Sequence, residues 1–572
     1  MTRYRKKTIN KVTLTKILRD KRMNWQKNII LAAIGVVVWL LVVRWSGFEG
    51  IQPIQSVADQ QSPIPVEMQY PSESTTTSTL PSLAVEPVIK ETFVGSEHQY
   101  VTVKTDVIEV TLDTLGGDIV EVKLLNNLTA MAVDGGQPIT LLTRSNGDLF
   151  VAESGLIGKD GTDTASGRPQ FSSVSSSYEL LEGESSLNVD LVYVQNGIDI
   201  IKRFEFKPSD YQIGIRYLIN NATQAPWTAT FFGQFKRDDH EPDSSASAGM
   251  KPYLGAALRE QDQNYSKYTF SDIEDDSVKS SIKGGWLAFV QHYFVSAWVL
   301  PSDQKNRYSL RKLSGQDVYL MAVTGEKIDV AAGTQGEYKV DLYVGPKDQA
   351  TLKELAEHLD LTIDYGFLWM LAKPIFALLE IIHNILGNWG WSIILLTIFI
   401  KILLYPLSAA SLRSMAKMRK LQPDMARIKE LHSDDRQKAG QEQMALFKKH
   451  QVNPLGGCFP MLLQMPVFIA LYWVLSESVE IRHSPWIFWI QDLSAKDPLF
   501  ILPLIMGASM YLMQKLQPTP TDPMQAKVFQ FMPIMFTFFF IMFPAGLVLY
   551  WTVNNLLSIL QQWYVNRQIA AK

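Results

Sequence analysis

The run from Trp391 to Leu407, WSIILLTIFIKILLYPL, limits what this chain can become more than any other: it is apolar enough for a bilayer, yet it carries Lys401 inside it. A charge at the centre of a spanning helix costs roughly 2.5–3.5 kcal/mol on insertion scales, so such a residue either reaches the surface or serves a function. Lys401 lies seven residues before Ser408, about 10 Å at helical rise, which a long side chain covers only in part. Thr397 and Tyr405 fall at i−4 and i+4, which puts three polar groups on one helix face. Pro406 lacks the amide that would bond the Ile402 carbonyl and leaves a polar backbone group near that face. Two readings stand: a snorkelling lysine, or a wet stripe facing a buried polar cavity.

Charge tells which side each segment faces. The 572 residues carry a net charge of −3, but unevenly. Residues 1–28 hold ten Lys/Arg against one acid, residues 44–365 hold 26 basic against 45 acidic side chains, and residues 411–452 hold ten basic against five acidic. An excess of Lys/Arg in short loops marks the cytoplasmic side. Residues 1–28 and 411–452 are therefore expected inside and the acidic block outside. The single cysteine, Cys458, excludes an intrachain disulfide, so the exported block has to stand on its own core. Cys458 itself reads as a small buried residue at a helix start and not as a reactive thiol.

A basic cytoplasmic segment, 1–28, precedes the apolar run Ile29–Val43, closed by Arg44 and Trp45. No small-x-small cleavage site follows, so 29–45 is expected to be an uncleaved anchor with its amino end inside, and either Met1 or Met23 can be the start. Residues 46–95 are rich in Pro, Ser, Thr and Gln, the composition of a disordered tether. Beyond them the hydrophobic period becomes two: Ile108, Val110 and Leu112 alternate with polar residues, Gly116 and Gly117 turn the chain, and Val120, Val122 and Leu124 alternate again. Similar short strands recur to Gly345, which predicts an exported β-sandwich over 96–345. Its histidines, His98, His240 and His292, and His358 just beyond it, have no metal-ligand spacing, and KDGTDTASG at 159–167 lacks the ending of a phosphate loop and the spacing of a calcium loop. No metal site or cofactor is expected.

Residues 346–390 read as a polar connecting helix followed by an amphipathic helix lying in the outer interface, where Lys373, Glu380 and His383 interrupt the apolar run. Five apolar runs follow: Trp391–Leu407, Leu455–Leu475, Leu499–Met513, Val528–Phe543 and Leu547–Tyr564. With the anchor they make six spans, which returns the tail, 565–572, to the cytoplasm. The basic loop within 411–454 reads as a helical hairpin, with Met415, Met418 and Leu421, then Met425, Ile428 and Leu431, then Met444 and Phe447 at helical spacing. Its basic surface is either ordinary cytoplasmic topology or a docking surface for nascent chain or ribosome. Gln464, Gln514, Asn554, Ser558 and Gln562 are the polar groups available to join Lys401; the last three recur every four residues on one face. Each of these polar groups either bonds a neighbouring helix or lines a cavity open to the cytoplasm. No Gly-x4-Gly-Lys-Ser/Thr loop is present, so no ATPase is expected, and the chain is not read as an enzyme.

MAKMRKLQPDM, VNPLGGCFPMLLQMPVFIALYWVL, DLSAKDPLFILPLIMGASM, PTDPMQAKVFQFMP and FPAGLVLYWTVNNLLSILQQW resemble the YidC family of membrane protein insertases over nearly all of 365–566. KTDVIEVTLDTLGGD and the anchor resemble its Gram-negative branch. The resemblance implies a polytopic α-helical membrane protein of the bacterial inner membrane, with a five-helix insertase core over 391–564 and a periplasmic β-supersandwich domain. It implies insertion and folding of nascent membrane proteins, alone or with the Sec translocon, among membrane lipids. It puts Lys401 where relatives typically carry an arginine, so the charge is kept and the planar fork is lost. Thr397 matches a groove-lining threonine and Trp551 an aromatic groove position. Met465 and Pro466 match one substrate-contacting span, and the aromatic run 536–543, with Phe538 and Phe539, matches a second. The residues by themselves also leave open an ion-coupled secondary transporter and a periplasmic glycan-binding or glycan-acting protein.

Overall fold

The chain alternates over Ile108–Asp113 and Asp118–Leu128 because one face of each strand is buried: Ile108, Val110, Leu112, Val122 and Leu124 are all fully buried. The two pair antiparallel across a turn in which Gly116 and Gly117 both have positive φ, a conformation that other residues adopt at a cost. This hairpin is as the alternation indicated. The coordinates are a computed structural model that describes residues 98–570 except 146, 243–251, 433–434, 451, 453–458 and 518–522. The expectations for 1–28, for the anchor 29–45, for the tether 46–95 and for Cys458 lie outside the described residues.

Among the described residues, two sheets make up the β-rich region. One has ten strands, in the order Val278–Lys283, Lys305–Lys312, Val318–Val330, Trp227–Asp238, Asp148–Ile157, Pro138–Ser145, Asp118–Leu128, Ile108–Asp113, Tyr100–Lys104 and Ser177–Glu179. The other has eight: Ser266–Tyr268, Gly255–Leu258, Trp286–Val290, Phe294–Val299, Gln335–Pro346, Gln212–Asn221, Ile198–Phe206 and Leu187–Gln195. Every pairing between neighbours is antiparallel except that of Tyr100–Lys104 with Ser177–Glu179. Inward residues of both sheets, among them Val110, Phe204, Ile215, Phe231, Trp298 and Leu342, form one core. A short helix, α1 (Phe270–Asp275), is capped by Thr269 and Asp272 in a reciprocal capping box.

The 159–167 loop is tied into the fold through Asp163. Asp163, almost fully buried, receives the Arg168 Nε at 2.7 Å, and Arg168 Nη1 reaches Asp118 at 2.5 Å. Lys202, also fully buried, donates to the carbonyls of Gly116 at 3.0 Å and Ser154 at 2.9 Å.

After the last strand, Asp348 caps the short helix α2 (Gln349–Leu355), which ends before His358 takes a left-handed conformation. The remaining helices are α3 (Trp369–Leu386), α4 (Trp389–Leu403), α5 (Tyr405–Lys420), α6 (Gln422–Leu431), α7 (Arg436–Lys449), α8 (Phe459–Glu477), α9 (Ile501–Lys515), α10 (Pro523–Phe540) and α11 (Ala545–Ala570). The single helix expected over 391–407 is two helices: α4 stops at Leu403 and α5 departs at 68°. Pro406 at the start of α5 is the physical reason, because its ring and missing amide are tolerated only in the first turn of a helix. The basic loop likewise holds three helices where two were expected, with Leu421, Met425, Phe447 and Val452 clustered between their arms. Among the described residues, Gly366–Leu386 alone is long and apolar enough by itself to cross a bilayer, and α4 with α5 passes that test as a bent pair.

The β-rich region is keyed to the end of α8. Lys347 Nζ lies 3.2 Å from Glu477 Oε2, both side chains buried, His292 Nε2 donates to the Ser476 carbonyl at 2.8 Å, and Arg482 Nη2 donates to the Leu128 carbonyl at 2.5 Å. Just beyond, burial lifts the Glu480 carboxyl to about 7, with Asp348 and Glu380 adding to the rise. An acid raised on folding contributes stability that is complete below its ordinary value of 4.5 and is lost as pH climbs through 7. The unfolding midpoint of the wild type is therefore expected to fall relative to Glu480→Gln between pH 4.5 and 7 and to run parallel to it above. His292, which burial lowers to about 4 with Lys347 and Arg482 adding, acts in the opposite sense and cancels in that difference. Curves parallel throughout would show that Glu480 ionises freely.

Candidate functional site

The polar residues of the apolar helices divide into two sets once the helices are packed. One set ties helices together. Gln514 Nε2 donates to the Phe529 carbonyl, Gln562 Nε2 to the Leu516 carbonyl at 2.8 Å, and Asn555 Nδ2 to Ser509 Oγ at 3.1 Å, so α9 is joined to α10 and α11. Gly507 supports the same contact, since any side chain there would run into the Thr537 hydroxyl. Gln514 and Gln562 are thus helix ties.

The second set converges on Lys401. Its Nζ donates to Ser558 Oγ at 2.8 Å and faces Gln464 Oε1 at 3.5 Å. Gln464 Nε2 in turn donates to Asn554 Oδ1 and to the Tyr550 hydroxyl, the latter at 3.2 Å. Ser558 Oγ donates to its own helix at the Asn554 carbonyl, 2.7 Å away. Lys401 on α4, Gln464 on α8, and Tyr550, Asn554 and Ser558 on α11 therefore form one network across three helices. Sequence periodicity found four of the five: Asn554 and Ser558 share a helix face, and Lys401 and Gln464 interrupt apolar runs. Tyr550 was missed because a tyrosine in an apolar run reads as packing; only its hydroxyl contact reveals it.

Lys401 is 8% exposed although it stands only two residues from the end of α4. Its burial comes from α11 packed against α4, with Gln464 reaching in from α8, and not from its position along its own helix. A cation at a helix C-terminus is also favourably placed against the backbone dipole. Thr397, one turn earlier, is 1% exposed and bonds the Ile393 carbonyl at 2.6 Å, so it lines the same face with its hydroxyl satisfied. Tyr405 does not complete the stripe: it begins α5, beyond the bend, and among the described residues no hydrogen bond joins it to Lys401.

Beside the network stands an aromatic wall. The Trp551 ring meets Phe468 of α8 edge-on at 4.7 Å and Phe540 of α10 at 5.4 Å, and its indole Nε1 is buried with no hydrogen-bond partner among the described residues. Met465 is 40% exposed and precedes Phe468 by three residues, one helical neighbour away. Pro466 lies inside α8. Phe538 and Phe539 are 70% and 56% exposed, and Val528, Phe531, Met535 and Phe538 make an exposed apolar row along α10. A row of this kind fits lipid or an apolar helix and not water.

Comparison with known proteins gives a consistent picture. Residues 100–378 match the family model described as the YidC periplasmic domain, and residues 381–572 match that of the 60Kd inner membrane protein. A membrane protein insertase YidC of Cellvibrio japonicus is 50% identical over 548 residues, covering 96% of this chain and 99% of that one. That of Stutzerimonas stutzeri is 49% identical over 554 residues, with the same coverage. A solved structure of an active YidC insertase with its first transmembrane domain resolved is 21% identical, covers 82% of this chain and 93% of its own, and has a TM-score of 0.38.

Proposed function

Because the chain belongs to the YidC family of membrane protein insertases, we propose that the network around Lys401 is the groove through which it inserts its substrates. The chain is an inner-membrane protein with a periplasmic domain, and its substrates are nascent membrane proteins. Neither the secondary transporter nor the glycan-acting reading finds support among relatives named as insertases.

The observation that carries the groove is a cation held by Ser558 and Gln464 between three apolar helices, where isolated charges are costly. Six spans with both ends cytoplasmic place α5, α6 and α7 inside and the β-rich region outside, by the distribution of Lys and Arg. α3 then lies in the outer interface, with Ala372, Ile375, Phe376, Leu379 and Ile382 facing the core and Lys373 paired to Asp360 at 2.7 Å.

On this reading a polar segment of the substrate enters the groove and meets Lys401, Gln464, Asn554 and Thr397, so that part of the bilayer's thickness no longer has to be crossed dry. Its apolar helix leaves past Trp551, Met465, Pro466, Phe538 and Phe539 into lipid, and burial of that helix drives the step at about 0.8 kcal/mol per methylene. No nucleotide is consumed by this chain. The Sec translocon is a second partner for larger substrates, and the basic cytoplasmic helices offer the ribosome a surface.

The test is insertion of a short single-span protein into proteoliposomes containing only this chain, read by protease protection without nucleotide. Protection is expected. Its absence with correctly oriented protein would refute autonomous insertion.

A further inference from the structure

Gln464 is the branch point of the groove network, and its amide has two chemically different ends. An ammonium has no acceptor, so the end facing Lys401 has to be the carbonyl oxygen, here at 3.5 Å. That orientation holds only if the two amide hydrogens are used elsewhere. Nε2 donates one to Asn554 Oδ1 and one to the Tyr550 hydroxyl, 3.2 Å away.

We infer that Tyr550 is a positioning residue of the groove: with Asn554 it takes up both amide hydrogens of Gln464, fixes the Gln464 carbonyl oxygen on Lys401, and so holds the ammonium at groove depth. The inference rests on the groove reading above. Tyr550 is 1% exposed, and its ring belongs to the apolar core shared with Leu471, Leu547 and Val548. Phenylalanine would fill that space equally well, so the hydroxyl is what distinguishes the residue. Without it, one Gln464 amide hydrogen loses its partner inside the helix bundle. The amide is then held from the Asn554 side alone, and its carbonyl oxygen is free to swing off the Lys401 ammonium. Lys401 is left with Ser558 as its protein acceptor among the described residues and with more freedom to swing out. A substrate whose polar segment is acidic feels this change more than one whose segment is uncharged.

The experiment uses the full chain in proteoliposomes as wild type, Tyr550→Phe, Lys401→Ala and the double variant. Two single-span substrates are compared, identical except that the polar segment is acidic in one and uncharged in the other. A second readout, independent of insertion, is the rate at which Lys401 reacts with a water-soluble amine reagent, followed by peptide mass spectrometry. In Tyr550→Phe, Lys401 should react about threefold faster and the acidic substrate should insert about threefold less, the scale of one neutral hydrogen bond. The uncharged substrate should lose less than the acidic one, and Tyr550→Phe should add nothing to the loss of the acidic substrate in Lys401→Ala. Unchanged Lys401 reactivity overturns the inference, as does an equal loss for both substrates that persists in the Lys401→Ala background. Faster Lys401 reaction with insertion unaffected upholds the positioning and defeats the use of the charge by substrates.

Discussion

Replacing Arg168 with methionine is expected to destabilise the β-rich region by roughly 3–5 kcal/mol, the cost of leaving buried charges without their partner. Arg168 is the only side chain bonded to both Asp118 and Asp163 among the described residues, at 2.5 and 2.7 Å, and those carboxylates are 3% exposed each. It also donates to the Ser154 carbonyl at 2.8 Å, which keeps Lys202 as a donor when Arg168 is lost; the two carboxylates keep only hydrogen bonds from Ser154 N, Leu156 N and Thr162 Oγ1 and have no bonded cation in a core. Lys202 cannot replace it. Its Nζ donates to the Gly116 and Ser154 carbonyls and, among the described residues, to neither carboxylate, and burial, with the Arg168 charge adding, pulls its pKa down to about 7 against the attraction of Asp118. Against a typical domain stability of about 5–15 kcal/mol the loss is large. Amide hydrogen exchange in the full-length protein is the measurement. The strands Asp118–Leu128 and Asp148–Ile157 should lose protection by several orders of magnitude, and adding Asp118→Asn with Asp163→Asn should restore most of it. Exchange unchanged in Arg168→Met would mean that the two carboxylates do not depend on Arg168 in the folded protein.

The second large effect is on insertion. Lys401→Ala is expected to lower insertion of a substrate with an acidic polar segment about tenfold or more, because a hydrogen bond to a charged group is worth about 1.5–3 kcal/mol. The fold should survive the change. Ser558 keeps its bond to the Asn554 carbonyl, and Gln464 keeps its two amide bonds to Asn554 and Tyr550. Lys401→Arg should insert at close to the wild-type level, since the charge is retained and the longer guanidinium reaches both Ser558 and Gln464. Equal insertion by lysine, alanine and arginine would remove the charge from the mechanism.

Local pattern accounts for much of what was readable. Strand alternation marked the hairpin around Gly116 and Gly117, because a half-buried strand writes its period into consecutive residues. Helical spacing put Asn554 and Ser558 on one face for the same reason. The bend at Leu404 was not read, although Pro406 stands in the run: a proline within a single helix also frees one carbonyl, and it does not say at what angle a next helix leaves. The apolar runs were found, but their helix bounds differ by several residues, as with Val528–Phe543 against Pro523–Phe540, because polar residues such as Gln525 and Lys527 extend a helix without extending its apolar run.

Sequence alone determined which segments are apolar, which carry the basic excess, where the period changes from two to helical, and that one apolar run contains a lysine. These are properties of neighbours along the chain, and burial imposes them position by position. Tertiary structure alone decided that Lys401 meets Gln464 and Ser558, 63 and 157 residues away, that Tyr550 turns the Gln464 amide, and that Lys347 pairs with Glu477 across 130 residues. Such contacts depend on how separate elements cross in space, and a single chain holds no periodic trace of that. The buried cluster of Asp118, Asp163, Arg168 and Lys202 belongs with them, for its four charges look like ordinary surface residues until two sheets close over them.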